Sequence, residues 1–152
     1  MAINETREIV IEATPAEILD VIADLESLTD WSEPHQSSEV LERNKDGRPT
    51  KAKMKVKAAG ITDEQVVAYT WSGNKVSWTL VSSGQQRSQD ASYTLTPDGD
   101  KTKVKFQISV DPVVPLPRFV LKRAVKGTID TGTKGLRDRV LKVKKGTRVD
   151  GG

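Results

Sequence analysis

Cysteine is absent from the 152-residue chain, and histidine occurs once, at His35. The first absence excludes disulfides and thiolate metal sites. The second leaves too few imidazoles for a zinc or iron centre, so no metal is expected. No stretch approaches the roughly 20 consecutive apolar residues of a membrane-spanning helix. The opening Met1-Ala2-Ile3-Asn4-Glu5 lacks the basic region and apolar run of a signal peptide, and a cytoplasmic protein is expected. Also missing are a nucleophile elbow, a Gly-rich phosphate loop, a metal-ligand cluster and a paired-carboxylate signature. Hydrolase, kinase and dehydrogenase chemistry lose ground accordingly, and no cofactor is expected.

What is present is enough for one domain with a real core. No repeat or low-complexity linker divides the chain, so residues 1–147 are expected to form a single domain, with 148–152 as a flexible tail. Net charge is +3 but unevenly spread. Residues 1–112 carry 13 basic and 18 acidic side chains, whereas 113–152 carry 11 basic and 3 acidic. That asymmetry fits an anionic partner, such as a phospholipid surface met peripherally, or simply a solvated helix face. Nucleic acid is the weaker choice, because the basic segment offers only Phe119 for base stacking.

Glu5–Ala13 alternates with a period of two, placing Ile9, Ile11 and Ala13 on one side. Thr14-Pro15-Ala16-Glu17 then reads as a capping box with proline at the first helical position, opening a helix that should end near Asp24 or Glu26. Ser27–Trp31 reads as a second short helix, closed by Pro34. From Glu39 onward come consecutive strands: 39–44, 50–58, 62–72, 75–83, 87–96 and 102–110. Asp46-Gly47, Gly60, Gly73-Asn74, Gly84 and Pro97-Asp98-Gly99 separate them. Ala52, Met54, Val56 and Ala58 alternate with four lysines, so one face of this antiparallel meander is apolar and the other wet.

The pattern changes at Asp111–Pro117, which is read as ending the sheet. Beyond it Leu121, Val125, Ile129, Gly132, Leu136, Val140 and Val143 recur at steps of three and four. They make one apolar stripe about 22 residues long, roughly 33 Å, with Gly146 as the expected stop. Neither the stripe nor the one-sided sheet can bury itself alone. The expected fold is therefore α+β, a helix-grip arrangement. A curved antiparallel sheet of six to seven strands wraps round a long C-terminal helix, with two short helices after strand 1. Wrapping a long sheet round one helix leaves space, and that space is the expected binding cavity.

Several segments carry a family resemblance. They are Ile11-Glu12-Ala13-Thr14-Pro15-Ala16-Glu17-Ile18, Leu28-Thr29-Asp30-Trp31-Ser32-Glu33-Pro34, Val76-Ser77-Trp78-Thr79-Leu80 and, most telling, Val110–Leu121. In this order and spacing the chain resembles the SRPBCC superfamily of START-like and birch-pollen-allergen-like domains, in particular its polyketide cyclase/dehydrase and coenzyme-Q-binding branch. The resemblance implies a lipid-, quinone- or polyketide-binding cavity, with catalysis in some members only. Gly127, Gly132 and Gly135 depart from it. Glycine weakens a helix interior, so here the helix either bends or comes close to the sheet, and Gly132 is a candidate for ligand room.

The apolar parity of the strands and the helix stripe select Met54, Val56, Trp71, Trp78, Leu80, Tyr93, Phe106, Ile108, Val125, Ile129 and Gly132 as cavity lining, with Trp31 at one end; for Trp71 two faces are open, Val66-Ala68-Thr70 or Val67-Tyr69-Trp71, and the aromatic one is taken as inward. For most of them a filled core is the favoured reading, and for Trp31 a hydrophobic plug is as good a reading as a gate. His35 is the one side chain that titrates near neutrality, and as a general base it would need a cavity position and an orienting partner such as Glu33. A surface position in a polar loop is the favoured expectation. Arg87 and Asp90 are expected to form a surface pair rather than a cavity anchor. The leading function is binding of a hydrophobic small molecule, a lipid, isoprenoid quinone or polyketide. The alternatives are a cyclase or aromatase that moves protons with His35, Tyr93 or a pocket carboxylate, and a protein that docks its basic helix on an anionic membrane or RNA.

Overall fold

A computed structural model describes residues 3–58, 60–113 and 117–150. The elements run β1 (Ile3–Ile11), α1 (Pro15–Ala23), a single 3₁₀ turn (Leu25–Ser27), α2 (Leu28–Trp31) and β2 (His35–Arg43). Then come β3 (Pro49–Ala58), β4 (Ile61–Ser72), β5 (Lys75–Ser83), β6 (Gln86–Asp98) and β7 (Lys101–Pro112). The C-terminal helix comprises α3 (Arg118–Asp130), a π-helical turn (Thr131–Gly135) and α4 (Leu136–Asp150). All seven strands pair antiparallel in the order β1-β7-β6-β5-β4-β3-β2. The meander β2–β7 is sequential, and β1 joins its far edge through β7. This is the helix-grip α+β fold that the sequence predicts.

Local chemistry explains the helix starts. The Thr14 hydroxyl accepts from the Glu17 amide at 3.2 Å, and the Glu17 carboxylate accepts from the Thr14 amide at 2.9 Å. The backbone bond at the Thr14 amide is foremost in holding the Glu17 carboxyl below its ordinary value. The Asp24 amide closes α1 on the carbonyls of Asp20 and Val21.

Three boundaries differ from the sequence reading. β2 begins at His35, four residues early, so His35 is a strand residue and not part of a polar loop. β7 runs on through Asp111 and Pro112, because Pro112 sits at the strand end opposite Gln86, where a missing N–H costs the ladder little. The final helix passes the expected stop at Gly146 and runs to Asp150. The apolar stripe also stops sooner: Val140 is buried, but Val143 is 41% exposed. Lys144 turns toward the sheet instead and donates to the Glu12 carbonyl at 3.1 Å.

Ion pairs tie the helix to β1 and α1. The Arg137 guanidinium donates to both Glu12 carboxylate oxygens, at 2.7 and 3.2 Å, and this bonding is the largest influence lowering the Glu12 carboxyl. Arg7 donates to Asp130, and Lys144 lies 3.7 Å from Glu17. Part of the charge asymmetry is thus internal complementarity, with acids of the first segment meeting bases of the last.

The glycines resolve unequally. A Cβ built at Gly132 would lie 2.6 Å from Phe106 Cε2 and 3.0 Å from the Tyr93 hydroxyl. Close approach, and not ligand room beside the glycine, is the reason for its presence. Gly127 is exposed, with nothing near its Cβ position. Gly132→Ala should therefore cost about 1–3 kcal/mol from overpacking. Gly127→Ala should stabilise by about 0.5–1 kcal/mol through helix propensity. Urea unfolding of the two variants beside the native chain measures both, and equal effects would contradict the assignment.

Candidate functional site

Between the concave sheet and the C-terminal helix lies a cavity of about 210 Å³. Its floor is an aromatic ladder across four strands. Tyr69 of β4 meets Trp78 of β5 at 5.5 Å between ring centroids, Trp78 meets Tyr93 of β6 at 5.7 Å, and Tyr93 stacks on Phe106 of β7 at 4.7 Å. Register dictates this row, since Tyr69 pairs with Trp78 and Tyr93 with Phe106. Facing strand neighbours place their side chains on the same side of the sheet. Met54, Val56 and Val67 continue the wall, and Ile108 and Val110 extend it along β7. Leu121, Ala124, Val125, Thr128, Thr131 and Gly132 form the roof. Ile22, Leu25, Leu28 and Trp31 close one side from α1, the 3₁₀ turn and α2.

The π turn sets how close the roof comes. A π turn widens the helical repeat and interrupts the regular carbonyl pairing. Here the Tyr93 hydroxyl donates to the Gly132 carbonyl at 2.8 Å, and the Thr133 hydroxyl to the Ile129 carbonyl at 2.7 Å. Tyr93 is both floor and tie. Burial pushes the phenols of Tyr93 and Tyr69 far above the ordinary tyrosine range, so both stay neutral.

Of the residues selected from sequence, Trp31, Met54, Val56, Trp78, Tyr93, Phe106, Ile108, Val125 and Gly132 line the cavity. Trp71, Leu80 and Ile129 are not among the lining residues. Trp71 is on the inward face, but its indole N–H donates to the Pro49 carbonyl at 2.7 Å and its ring lies under the Arg48 guanidinium at 5.0 Å. Arg48 in turn bonds the Leu19 carbonyl and Asp20, so Trp71 anchors the sheet to α1. Leu80 packs on the core, only partly buried. Ile129 is buried in the core away from the space. Arg87 and Asp90 are both exposed.

His35 lines the cavity, contrary to the surface expectation. The His35 amide donates to the Ser32 carbonyl at 3.1 Å, and this turn puts the buried Ser32 hydroxyl 2.6 Å from His35 Nδ1. Ser32, not Glu33, orients the ring. Burial lowers the imidazole pKa from 6.5 to about 4, so the ring is neutral at physiological pH.

Polar lining that the sequence reading missed lies in the same row. His35 pairs with Val56, and Val56 with Asp63. Asp63 and Gln65 are both buried in the cavity wall. The Asp63 carboxylate accepts from Gln65 Nε2 at 3.0 Å, from the Gly84 amide at 3.0 Å and from the Ser83 hydroxyl. A bulge between Val66 and Val67 explains Ser83's part. Val67 faces Leu80 but Gln65 faces Ser83, so the register gains a residue at Val81 and Ser83 swings inward. Gln85, Gln86 and Gln89 complete this polar end. One signal was available: carried back from Tyr69, the period of two passes through Val67, Gln65 and Asp63. Among the described residues, no group of three or more His, Asp or Glu side chains could hold a metal ion.

The match to a family of known proteins runs over residues 3–141 and is described as polyketide cyclase / dehydrase and lipid transport. The chain belongs to this family. Its fold is shared with a START superfamily protein from Mycobacterium smegmatis, at 21% identity and a TM-score of 0.83, covering 92% of this chain and 98% of that one. A Thermus thermophilus protein matches at 18% identity and 0.81, covering 93% and 99%. The Zhui aromatase/cyclase from a Streptomyces species matches at 11% identity and 0.78, covering 92% and 94%. No curated protein matches the sequence significantly. Membership in the polyketide cyclase/dehydrase and lipid transport family indicates a protein that binds hydrophobic ligands.

The His35 environment has a measurable consequence. The folded pKa lies below the unfolded value, so the unfolded chain binds the extra proton first as pH falls. The stability due to a neutral His35 is complete above pH 6.5 and is lost progressively towards pH 4, on the order of 3 kcal/mol in total. Urea midpoints measured across this window should fall with pH in the native protein and fall less in His35→Gln. Identical pH profiles for the two would refute the desolvated, neutral assignment.

Proposed function

We propose that this chain binds a lipid, isoprenoid quinone or polyketide-like ring compound in the cavity between sheet and helix, and serves to carry or sequester it. The observation that carries the reading is the cavity itself, walled by an aromatic ladder and aliphatic side chains and roofed by one face of the helix. Burying apolar ligand surface there contributes roughly 25 cal/mol per Å². Native mass spectrometry of the purified protein should reveal a co-purifying hydrophobic molecule. An apolar fluorescent dye should bind and be displaced by lipids or quinones. Ala124→Trp, which fills the cavity from the helix side, should weaken dye binding at least about tenfold with the fold intact by circular dichroism. Unchanged dye binding in that variant would place the dye elsewhere and remove the reading.

A second reading, a cyclase acting in the same cavity, is favoured by one observation. A neutral imidazole, a carboxylate and a buried phenol, from His35, Asp63 and Tyr93, all line one apolar space. Proton transfer to and from a folded polyketide chain needs groups of this kind. Turnover of a polyketide substrate that is lost in His35→Ala, with dye binding retained, would promote it. A peripheral contact of the basic helix with an anionic membrane completes the proposal. It would rest on Lys142 and Lys145, which are exposed, more than on Lys144, which is held by Glu12 and Glu17.

A further inference from the structure

The cavity is apolar along most of its length but has one hydrogen-bonding end, and that end is unbalanced. Three donors converge on Asp63: Gln65 Nε2, the Ser83 hydroxyl and the Gly84 amide. The Ser83 O–H and the Gly84 N–H are committed there, and Gln65 gives one of its two amide hydrogens. The Ser83 oxygen also accepts the amides of Gln85 and Gln86, at 3.1 and 3.0 Å, so the turn is satisfied from within. A carboxylate offers about four acceptor positions, of which three are used. Gln86 Oε1 is buried with no hydrogen-bond partner. At Asp63 and at Gln86 Oε1 the unused capacity is acceptor capacity. Charge points the same way. No lysine or arginine is among the described residues lining the cavity, and no basic side chain among them pairs with Asp63. His35 is neutral, as are the two phenols. Asp63 is thus the one acidic side chain among the described residues lining the cavity, at 7% exposure, with neutral donors around it.

We infer that the cavity selects ligands whose polar end donates a hydrogen bond, a hydroxyl or an ammonium, and rejects ligands that end in a carboxylate. The inference rests on the cavity-binding reading and narrows it. The donor end sits against Asp63 and the flat or branched apolar body lies along the Tyr69–Trp78–Tyr93–Phe106 ladder. A fatty-acid-like head would meet Asp63 with no cation to offset the repulsion, in a setting where water screens little. A hydroxyl or ammonium would use the acceptor position left open and would leave the existing bonds of Asp63 in place.

The test titrates the full chain calorimetrically with naphthol, methoxynaphthalene and naphthoate, each substituted at the same ring position. The three share an apolar body and differ at the head: donor, acceptor only, and anion. Naphthol should bind about tenfold or more tightly than methoxynaphthalene, the range expected for a hydrogen bond to a charged group, and naphthoate should bind weakest. In Asp63→Asn naphthoate should gain about tenfold while methoxynaphthalene changes little. Equal binding of naphthol and methoxynaphthalene in the native protein would overturn the inference and leave cavity binding standing. So would parallel changes for all three probes in the variant. If none of the probes binds and none displaces an apolar dye, the cavity-binding reading falls and the inference with it. The rank order in the native protein decides the matter even if Asp63→Asn, deprived of part of its bonding to Ser83 and Gly84, proves unstable.

Discussion

The close approach of the C-terminal helix to the sheet at Gly132 is the constraint on which the rest of the structure depends. The helix backbone lies against the Phe106 ring, and the Tyr93 hydroxyl holds the Gly132 carbonyl. Only a residue without a Cβ permits the approach. Fixing this point settles the height of the roof above the floor, and so where the wrapped sheet closes and where it leaves space. On the α1 side, Leu136 and Val140 bury fully. On the other side, Leu121, Ala124 and Thr128 stand off the sheet and the cavity opens beneath them. The π turn is the local adjustment that reconciles this contact with a continuous helix, and Thr133 and Tyr93 bond carbonyls within and beside it.

A cavity in a small domain sacrifices contacts that a filled core would make. Here the rim compensates. Trp71 and Arg48 lock the sheet to α1, the capping box fixes the start of that helix, and ion pairs from Arg7, Arg137 and Lys144 fasten the last helix to β1 and α1. Exposed pairs of this kind contribute modestly one by one. Their placement matters more than their strength, because they hold the two sides of the roof and lie outside the cavity, whose described lining has Asp63 as its one acidic residue and no lysine or arginine.

That exception gives the site its direction. A uniformly apolar pocket would hold ligands by size alone. A single buried carboxylate, bonded by Gln65, Ser83 and Gly84, makes one end chemically different from the other. His35 lies in the same cross-strand row, with its ring steadied by Ser32. The family spans carriers and catalysts, and the distance between the two is small in physical terms: a shaped apolar space and one or two polar groups serve either.

The sequence by itself determined the architecture. Period-two strands, turn signals at regular spacing, the Thr14–Glu17 capping box and the stripe from Leu121 to Val140 are local patterns, and each demands a partner surface that only a wrapped sheet and helix supply. It also marked most of the aromatic ladder, since parity along a strand is a local property. Tertiary structure alone decided what depended on register between strands distant in sequence. The bulge at Val81 that turns Ser83 inward, the row that joins His35 to Asp63 through Val56, the withdrawal of Trp71 to the rim and the reason for Gly132 all arise from contacts across the sheet or between sheet and helix. Parity tells which face a side chain takes. How far along the cavity it falls, and what stands opposite, is set by pairing, and pairing is not written in any one segment.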